Sequence, residues 1–428
     1  MYFGLKPMPG VVLNRELSVP SRSVFRDLEV VRMGGRIVVR YKGNTYYGTD
    51  HSPVLSALLN AEKMERKVKQ DIFGPTPPNV FVGEYGYPEV TVGPLVSLDA
   101  EQPAEFYGSQ ADWYGKDYSQ IVSFATSLVR GKKKMAVKAQ SRYLRDLQDA
   151  TLSTKSVDLE VAFTEKPAFS YSFSPVAQPM GPSGFVDKVT LADNPKVPGK
   201  IDSIVSEGLL VREALPELFG AGMDYYYVQK VLSAGVLGRE RRLVPTKWSI
   251  TAADDMIGKM LLDDVRNYPS INEYRIHSTT FLDNHFEILL MPGKWEFEQF
   301  ESWAPSTPWA EQAGSGIIQE SEPFEGRTSY AEREGGGYYA GRLGVVEALH
   351  KMKRQARAVV FREIGEGYTV PVGVWEVREN SRNAMKQPPT KCSTLSEALT
   401  VLSTRLKHPI AAYTAKSAVL GQKKMTDY

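Results

Sequence analysis

The sequence has 428 residues, 42% hydrophobic and 24% charged, enough apolar mass for two or three globular domains. Its 52 Lys and Arg against 50 Asp and Glu leave a formal charge of +2, which excludes the uniformly basic class of nucleic-acid binder and assigns any such contact to a local patch. The single cysteine, Cys392, excludes an internal disulfide and a cysteine-based zinc site, and the five scattered histidines argue against a His-based metal centre. With no apolar run long enough for a membrane span and no signal-peptide stretch, the expected setting is the cytoplasm, with no membrane partner.

In chain order the elements predict an α/β or α+β protein, with mixed sheets and flanking helices. Residues 36–41 and 45–47, joined by Lys42-Gly43-Asn44, read as a hairpin. Ser52 caps a helix with Pro53 in its first turn and an apolar stripe of Val54, Leu55, Leu58, Leu59 and Met64. It ends before Phe73-Gly74-Pro75-Thr76-Pro77-Pro78, whose prolines lack amide donors and fix the backbone. Residues 79–83 read as a strand, and Val157, Leu159, Val161 and Phe163 alternate with polar residues as a half-buried strand does. Residues 183–198 read as a structured loop, and 224–242 begin helical and break near Gly238.

Further on, Thr251-Ala252-Ala253-Asp254 reads as a capping-box variant opening a helix to about Asn267. Residues 273–278 and 286–291 pair around an Asp283-Asn284 turn, and Trp295, Phe297 and Gln299 share one face of another strand. A helix over 338–355, strands over 358–364 and 369–377, and a helix over 395–406 complete the pattern. A boundary near residue 240 gives domains 1–240 and 241–413, followed by a mobile, basic tail over 414–428.

The last seven residues, Gln422-Lys423-Lys424-Met425-Thr426-Asp427-Tyr428, match the spacing used by sliding-clamp ligands. In a 3₁₀ turn, residues three apart lie on one side, so Met425 and Tyr428 fill one apolar pocket while the Gln422 amide bonds at its rim. The competing reading is a solvated basic tail with a tyrosine end. One departure is that clamp ligands usually carry a second aromatic, and here Tyr428 is the last residue.

Two stretches carry a resemblance. The 73–83 segment, Tyr85-Gly86-Tyr87-Pro88 and Val92-Gly93-Pro94-Leu95 resemble the N-terminal half of the archaeal Nre DNA-repair family. Leu243-Val244-Pro245-Thr246-Lys247-Trp248-Ser249-Ile250-Thr251-Ala252, Gly336-Gly337-Tyr338-Tyr339-Ala340 and Pro371-Val372-Gly373-Val374-Trp375 resemble its C-terminal half. The resemblance implies a role in the response to DNA damage and a C-terminal peptide for the PCNA sliding clamp. It supplies no catalytic residue. Some members are thought to carry an N-terminal cysteine cluster; residues 1–48 here contain no cysteine.

The candidate DNA contacts are Lys247, Trp248, Tyr338, Tyr339, Arg342, Lys353, Arg354, Arg239, Arg241 and Arg242. Lys247 and Trp248 lie near a helix start, where amides favour phosphate and an indole can stack on bases; Asp254 and Asp255 nearby are weak candidates for a divalent ion such as Mg²⁺, or simply complement the helix dipole. Gly335-Gly336-Gly337 with Tyr338, Tyr339, Gly341 and Arg342 either lets backbone approach phosphate or precedes a helix with buried tyrosines; it is not a Walker loop. Lys351, Lys353, Arg354 and Arg357, then Lys132, Lys133, Lys134 and Lys138, then Arg239, Arg241 and Arg242 form basic groups that meet phosphate or face solvent. Of Tyr225, Tyr226 and Tyr227, two are expected in the core and one outside; His285 with Asp283 and Glu287 is a weak general-base or metal candidate. These features favour a repair factor brought to DNA by the clamp, whose body binds DNA or another repair enzyme. A metal-assisted DNA-processing or nucleotide-modifying enzyme, and a clamp-tethered scaffold without DNA contact, are the alternatives.

Overall fold

The computed structural model describes the backbone of four strands between 16 and 48, and residues 63–64, 66–98, 102–168, 180–304, 316–368 and 370–421. Two compact units interleave along the chain: Met1–Gly208 with Ser233–Thr246 and Val370–Val372, and Leu209–Leu232 with Lys247–Thr369 and Gly373–Tyr428.

In the first unit β1 (Glu16–Leu17), β2 (Leu28–Met33), β3 (Arg36–Tyr41) and β4 (Asn44–Gly48) form an antiparallel sheet in that order. The expected hairpin is β3–β4, with Tyr41 opposite Asn44. The helix expected from Ser52 falls mostly outside the described residues. A second, mixed sheet contains β5 (Asp71–Thr76), β6 (Val80–Val82), β7 (Glu89–Ser97), β8 (Leu128–Ala136), β9 (Val157–Phe163) and β10 (Ser183–Leu191), in the order β5-β9-β10-β8-β7-β6. Only β8 and β10 run parallel. Pro75 is tolerated because β5 is an edge strand, where a missing N–H breaks no ladder. Alternation puts Val90, Val92, Val129, Leu159 and Val161 in the core. Residues 183–191, expected as loop, are strand β10: Val186 and Val189 are buried, and a bulge between Val186 and Lys188 interrupts the period that would have revealed it. Helices α1 (Tyr118–Thr126), α2 (Arg142–Leu152) and α3 (Gly199–Glu207) complete this unit; the Ser141 hydroxyl accepts the Leu144 amide to start α2.

The second unit begins with α4 (Val211–Gly220), α5 (Tyr225–Ser233) and α6 (Thr246–Val265). Helix α6 starts directly after Pro245, a turn earlier than the expected capping box, so Asp254 and Asp255 lie in its interior. Strands β11 (Tyr274–Phe281), β12 (Asn284–Met291), β13 (Glu296–Trp303), β14 (Ile318–Glu322), β15 (Arg357–Ile364) and β16 (Thr390–Cys392) form a mixed sheet ordered β14-β13-β15-β12-β11-β16, with β13 and β15 parallel. The β11–β12 turn is Leu282-Asp283, both at positive φ (52° and 54°), one residue before the expected position.

Helices α7 (Gly336–Met352), α8 (Trp375–Lys386), α9 (Leu395–Arg405) and α10 (Ile410–Thr414) follow. The strand expected over 369–377 is absent: Gly373, at φ 101°, redirects the chain and Trp375 opens α8. One face of the sheet carries an apolar cluster of Leu289, Met291, Phe300, Val359 and Phe361 with Leu402, Tyr413 and Val419. Packing also runs past the expected tail start at 414. The Lys416 ammonium donates to the Ile317 carbonyl at 2.9 Å, the Ala418 amide to Glu298 at 2.7 Å, and Val419 is buried. Gln422, Met425 and Tyr428 lie outside the described residues.

Candidate functional site

In open sheets, ligands gather where parallel strands end and helices begin. In the second unit this is the carboxyl end of β13 and β15, occupied by Glu301 and Arg362, which sit opposite each other in register. Arg362 donates to Glu301 at 2.7 Å, to Glu376 at 3.1 Å and, through two nitrogens, to the Asn284 carbonyl oxygen at 2.7 and 3.0 Å. Glu376 opens α8 and also accepts from the Asn380 amide. Burial is the larger influence on Glu376 and pushes its carboxyl up to about 7, with Arg362 pulling the other way.

Helix α7 lies over these side chains because of its glycines. A Cβ on Gly341 would collide with the Gln299 amide, and one on Gly344 would stand 2.7 Å from Ser381. Glu334, just before the helix, has a buried carboxyl near Gln299 and Glu301. Burial, reinforced by Glu301, raises the Glu334 carboxyl well above its ordinary value, with Gln299 and Arg362 pulling the other way. Among the described residues no group of three His, Cys, Asp or Glu could hold a metal ion.

The predicted Lys247, Trp248 and glycine turn do come together. Lys247 and Trp248 are exposed in the first turn of α6. Tyr330, 53% exposed, lies close to Lys247 and bonds Thr251, while its hydroxyl would stand 3.4 Å from a Cβ on Gly335. A Cβ on Gly336 would stand 3.2 Å from the Thr251 hydroxyl. Tyr330 therefore covers the glycine turn beside an exposed lysine and indole.

Other expected contacts need correction. Tyr338, Tyr339 and Arg342 are buried at 0, 5 and 1% exposure, because α7 is enclosed on all sides; they cannot stack on bases or meet phosphate. Arg342 is neutralised by Glu322 at 2.7 Å and Asp255 at 2.6 Å. Asp254 is wholly buried and makes a two-pronged pair with Arg378, 2.7 Å on each prong, while Asp255 also takes Lys259; the two carboxylates are spent on cations rather than open to a divalent ion. Tyr225, Tyr226 and Tyr227 are all buried, the first beneath the Arg378 guanidinium at 4.0 Å.

Lys353 and Arg354 are exposed but close the far end of α7, about 25 Å from the glycine turn by helix rise. In the first unit Lys138 and Arg242 converge on Glu240, while Arg239 and Arg241 cap the carbonyls of Gly208 and Val205. His285 lies 3.1 Å from Glu287 and shares a hydrogen with Thr280, whereas Asp283 sits in the turn and accepts the Gly367 amide.

Residues 47–310 match the description "Archaeal Nre, N-terminal" and residues 322–428 match "Archaeal Nre, C-terminal". This chain belongs to the archaeal Nre family. It is 34% identical over 364 residues to DNA repair protein NreB of Archaeoglobus fulgidus, covering 85% of this chain and 92% of that protein. It is 34% identical over 372 residues to DNA repair protein NreA of the same organism (86% and 93% covered), and 34% identical over 372 residues to DNA repair protein NreA of Haloferax volcanii (84% and 89%). No solved structure matches. Among the described residues, no helix of this Nre protein is long and apolar enough to cross a membrane.

Sequence reasoning missed Glu301, Glu334, Arg362 and Glu376. Glu301 and Arg362 lie far apart in sequence, and the parallel pairing of β13 with β15 brings them together.

Proposed function

We propose that this Nre protein is a DNA-repair factor of the cytoplasm that is held on DNA by the PCNA sliding clamp through Gln422, Met425 and Tyr428, while its body contacts DNA. The observation that carries the repair role is the similarity to relatives named DNA repair proteins, each spanning at least 84% of this chain. The clamp contact is supported by the spacing of Gln422, Met425 and Tyr428, which follow directly on a segment anchored by Ala418 and Val419. A short peptide beyond a fixed anchor folds on its partner at an ordering cost, which keeps affinity moderate. In the body, Lys247, Trp248 and Tyr330 at the glycine turn offer phosphate contact and base stacking. Calorimetric titration with purified clamp tests the hook. Replacing Met425 and Tyr428 by Ala is expected to abolish binding without unfolding the body, and unchanged affinity rejects the hook.

A second reading is favoured by Glu376, whose carboxyl titrates at about 7 beside Arg362 and Glu301. Enzymes place general acids and bases in this range. On this reading the protein processes DNA or nucleotides, with Glu376 moving the proton. Turnover of labelled DNA or nucleotide that is lost in a folded Glu376→Gln variant supports it; absence of turnover in the unaltered protein, with and without Mg²⁺, rejects it.

A further inference from the structure

Among the described residues of the first unit, one cation has no counter-charge. Arg130 lies on β8 between Val129 and Gly131, which turn inward, so it belongs to the outer face of the sheet. Its guanidinium is half-buried over the Phe81 ring, 4.5 Å from the centroid. The Nε is buried with no hydrogen-bond partner, and Nη1 reaches only the Met180 sulfur, at 2.6 Å. Burial alone lowers the guanidinium to about 10. Lys132, two residues on and about 6.7 Å along the same face, is lowered too, by burial and then by the Arg130 charge. Two half-buried cations thus repel each other with no carboxylate between them among the described residues.

Neighbouring cations are treated differently. Lys134, next on this face, pairs with Glu89 at 2.9 Å, and Lys138 pairs with Glu240 at 2.6 Å. A charge withdrawn from water is costly unless an opposite charge or hydrogen bonds compensate it, so the Arg130–Lys132 pair has the chemistry of an anion site. The surroundings narrow the anion. Phe185, 60% exposed, stands opposite Lys132 in the β8–β10 register. An exposed ring beside two cations suits unpaired bases, which stack on side chains in a way that duplex bases cannot.

We propose that Arg130 and Lys132 bind backbone phosphate of single-stranded DNA, and that Phe185 stacks on an adjoining base. The proposal rests on the reading that the protein body meets DNA, and it names the strand form and the place. The full-length protein is titrated into labelled single strand and labelled duplex, by fluorescence anisotropy, across a salt series. Single strand is expected to bind more tightly than duplex. Arg130→Gln and Lys132→Gln are each expected to weaken binding and to reduce the slope of log affinity against log salt by about 0.7. Phe185→Ala is expected to weaken binding about fivefold or more with the slope unchanged. Because Lys132 and Phe185 reach the surface, those two variants stay informative if Arg130→Gln does not fold. Preference for duplex, or unaltered affinity in Lys132→Gln and Phe185→Ala, overturns this site while leaving DNA contact standing. No binding to either form of DNA overturns the reading beneath it.

Discussion

The two units handle buried arginine in opposite ways. In the second, Arg342, Arg378 and Arg382 lie between helices and sheet, and each meets one or two carboxylates at 2.6–2.8 Å. In the first, Arg130 is withdrawn from water beside Lys132 with no carboxylate pairing it among the described residues. A neutralised charge is part of the scaffold, where its partners fix the geometry of neighbouring helices. An uncompensated one raises the energy of the free protein, and an arriving anion lowers it. The contrast separates residues that hold the fold from residues that await a ligand, a distinction that residue type alone does not make.

Breaking a scaffold pair is expected to have the largest effect. Asp254→Ala leaves Arg378 buried and unpaired, and is expected to cost about 3–5 kcal/mol in urea denaturation. A loss below about 1 kcal/mol would mean that Arg378 finds another partner or water.

A smaller effect is expected at Glu376. Its pKa is raised in the folded protein, so the protonated form is favoured; the stability linked to that proton is present in acid and is lost as pH rises from the ordinary carboxylate range through about 7. The loss is expected at up to about 1.4 kcal/mol per pH unit in that window. Glu376→Gln, which mimics the protonated form, is expected to flatten the dependence of the urea midpoint on pH; an unchanged slope would show that other groups carry it.

The smallest effect on stability is expected at Arg130. Arg130→Gln removes an uncompensated charge, so the melting free energy is expected to stay within about 0.5 kcal/mol or to rise. A loss as large as that of Asp254→Ala would place Arg130 in the scaffold and erase the contrast between the units.

Much of the fold is legible in the sequence where burial is apolar. Strand β9 alternates visibly, the β11–β12 hairpin is displaced by one residue, and Thr394 accepts the Glu397 amide where α9 was expected to begin. Helix α8 was hidden for a physical reason: Trp375 to Ser381 are all buried, five of them polar or charged, so no apolar stripe marks a helical period. The candidate site was legible only in part. Lys247, Trp248 and the glycine turn were visible as motifs and do cluster, with Tyr330 unforeseen. Tyr338, Tyr339 and Arg342 misled because a glycine-rich helix start suggests exposure, whereas those glycines serve close packing. Arg130 gave no signal, because a lone arginine in a strand says nothing about whether an acid will reach it.

Simultaneous engagement of clamp and DNA is the most direct test. Purified clamp is added to a complex of the full-length protein with a labelled single strand, and anisotropy is followed. A further saturable rise is expected, and it should vanish in protein lacking residues 422–428 while that protein's own DNA affinity is unchanged. Release of the strand on adding clamp, or no further rise with the full-length protein, would contradict a factor that bridges the two.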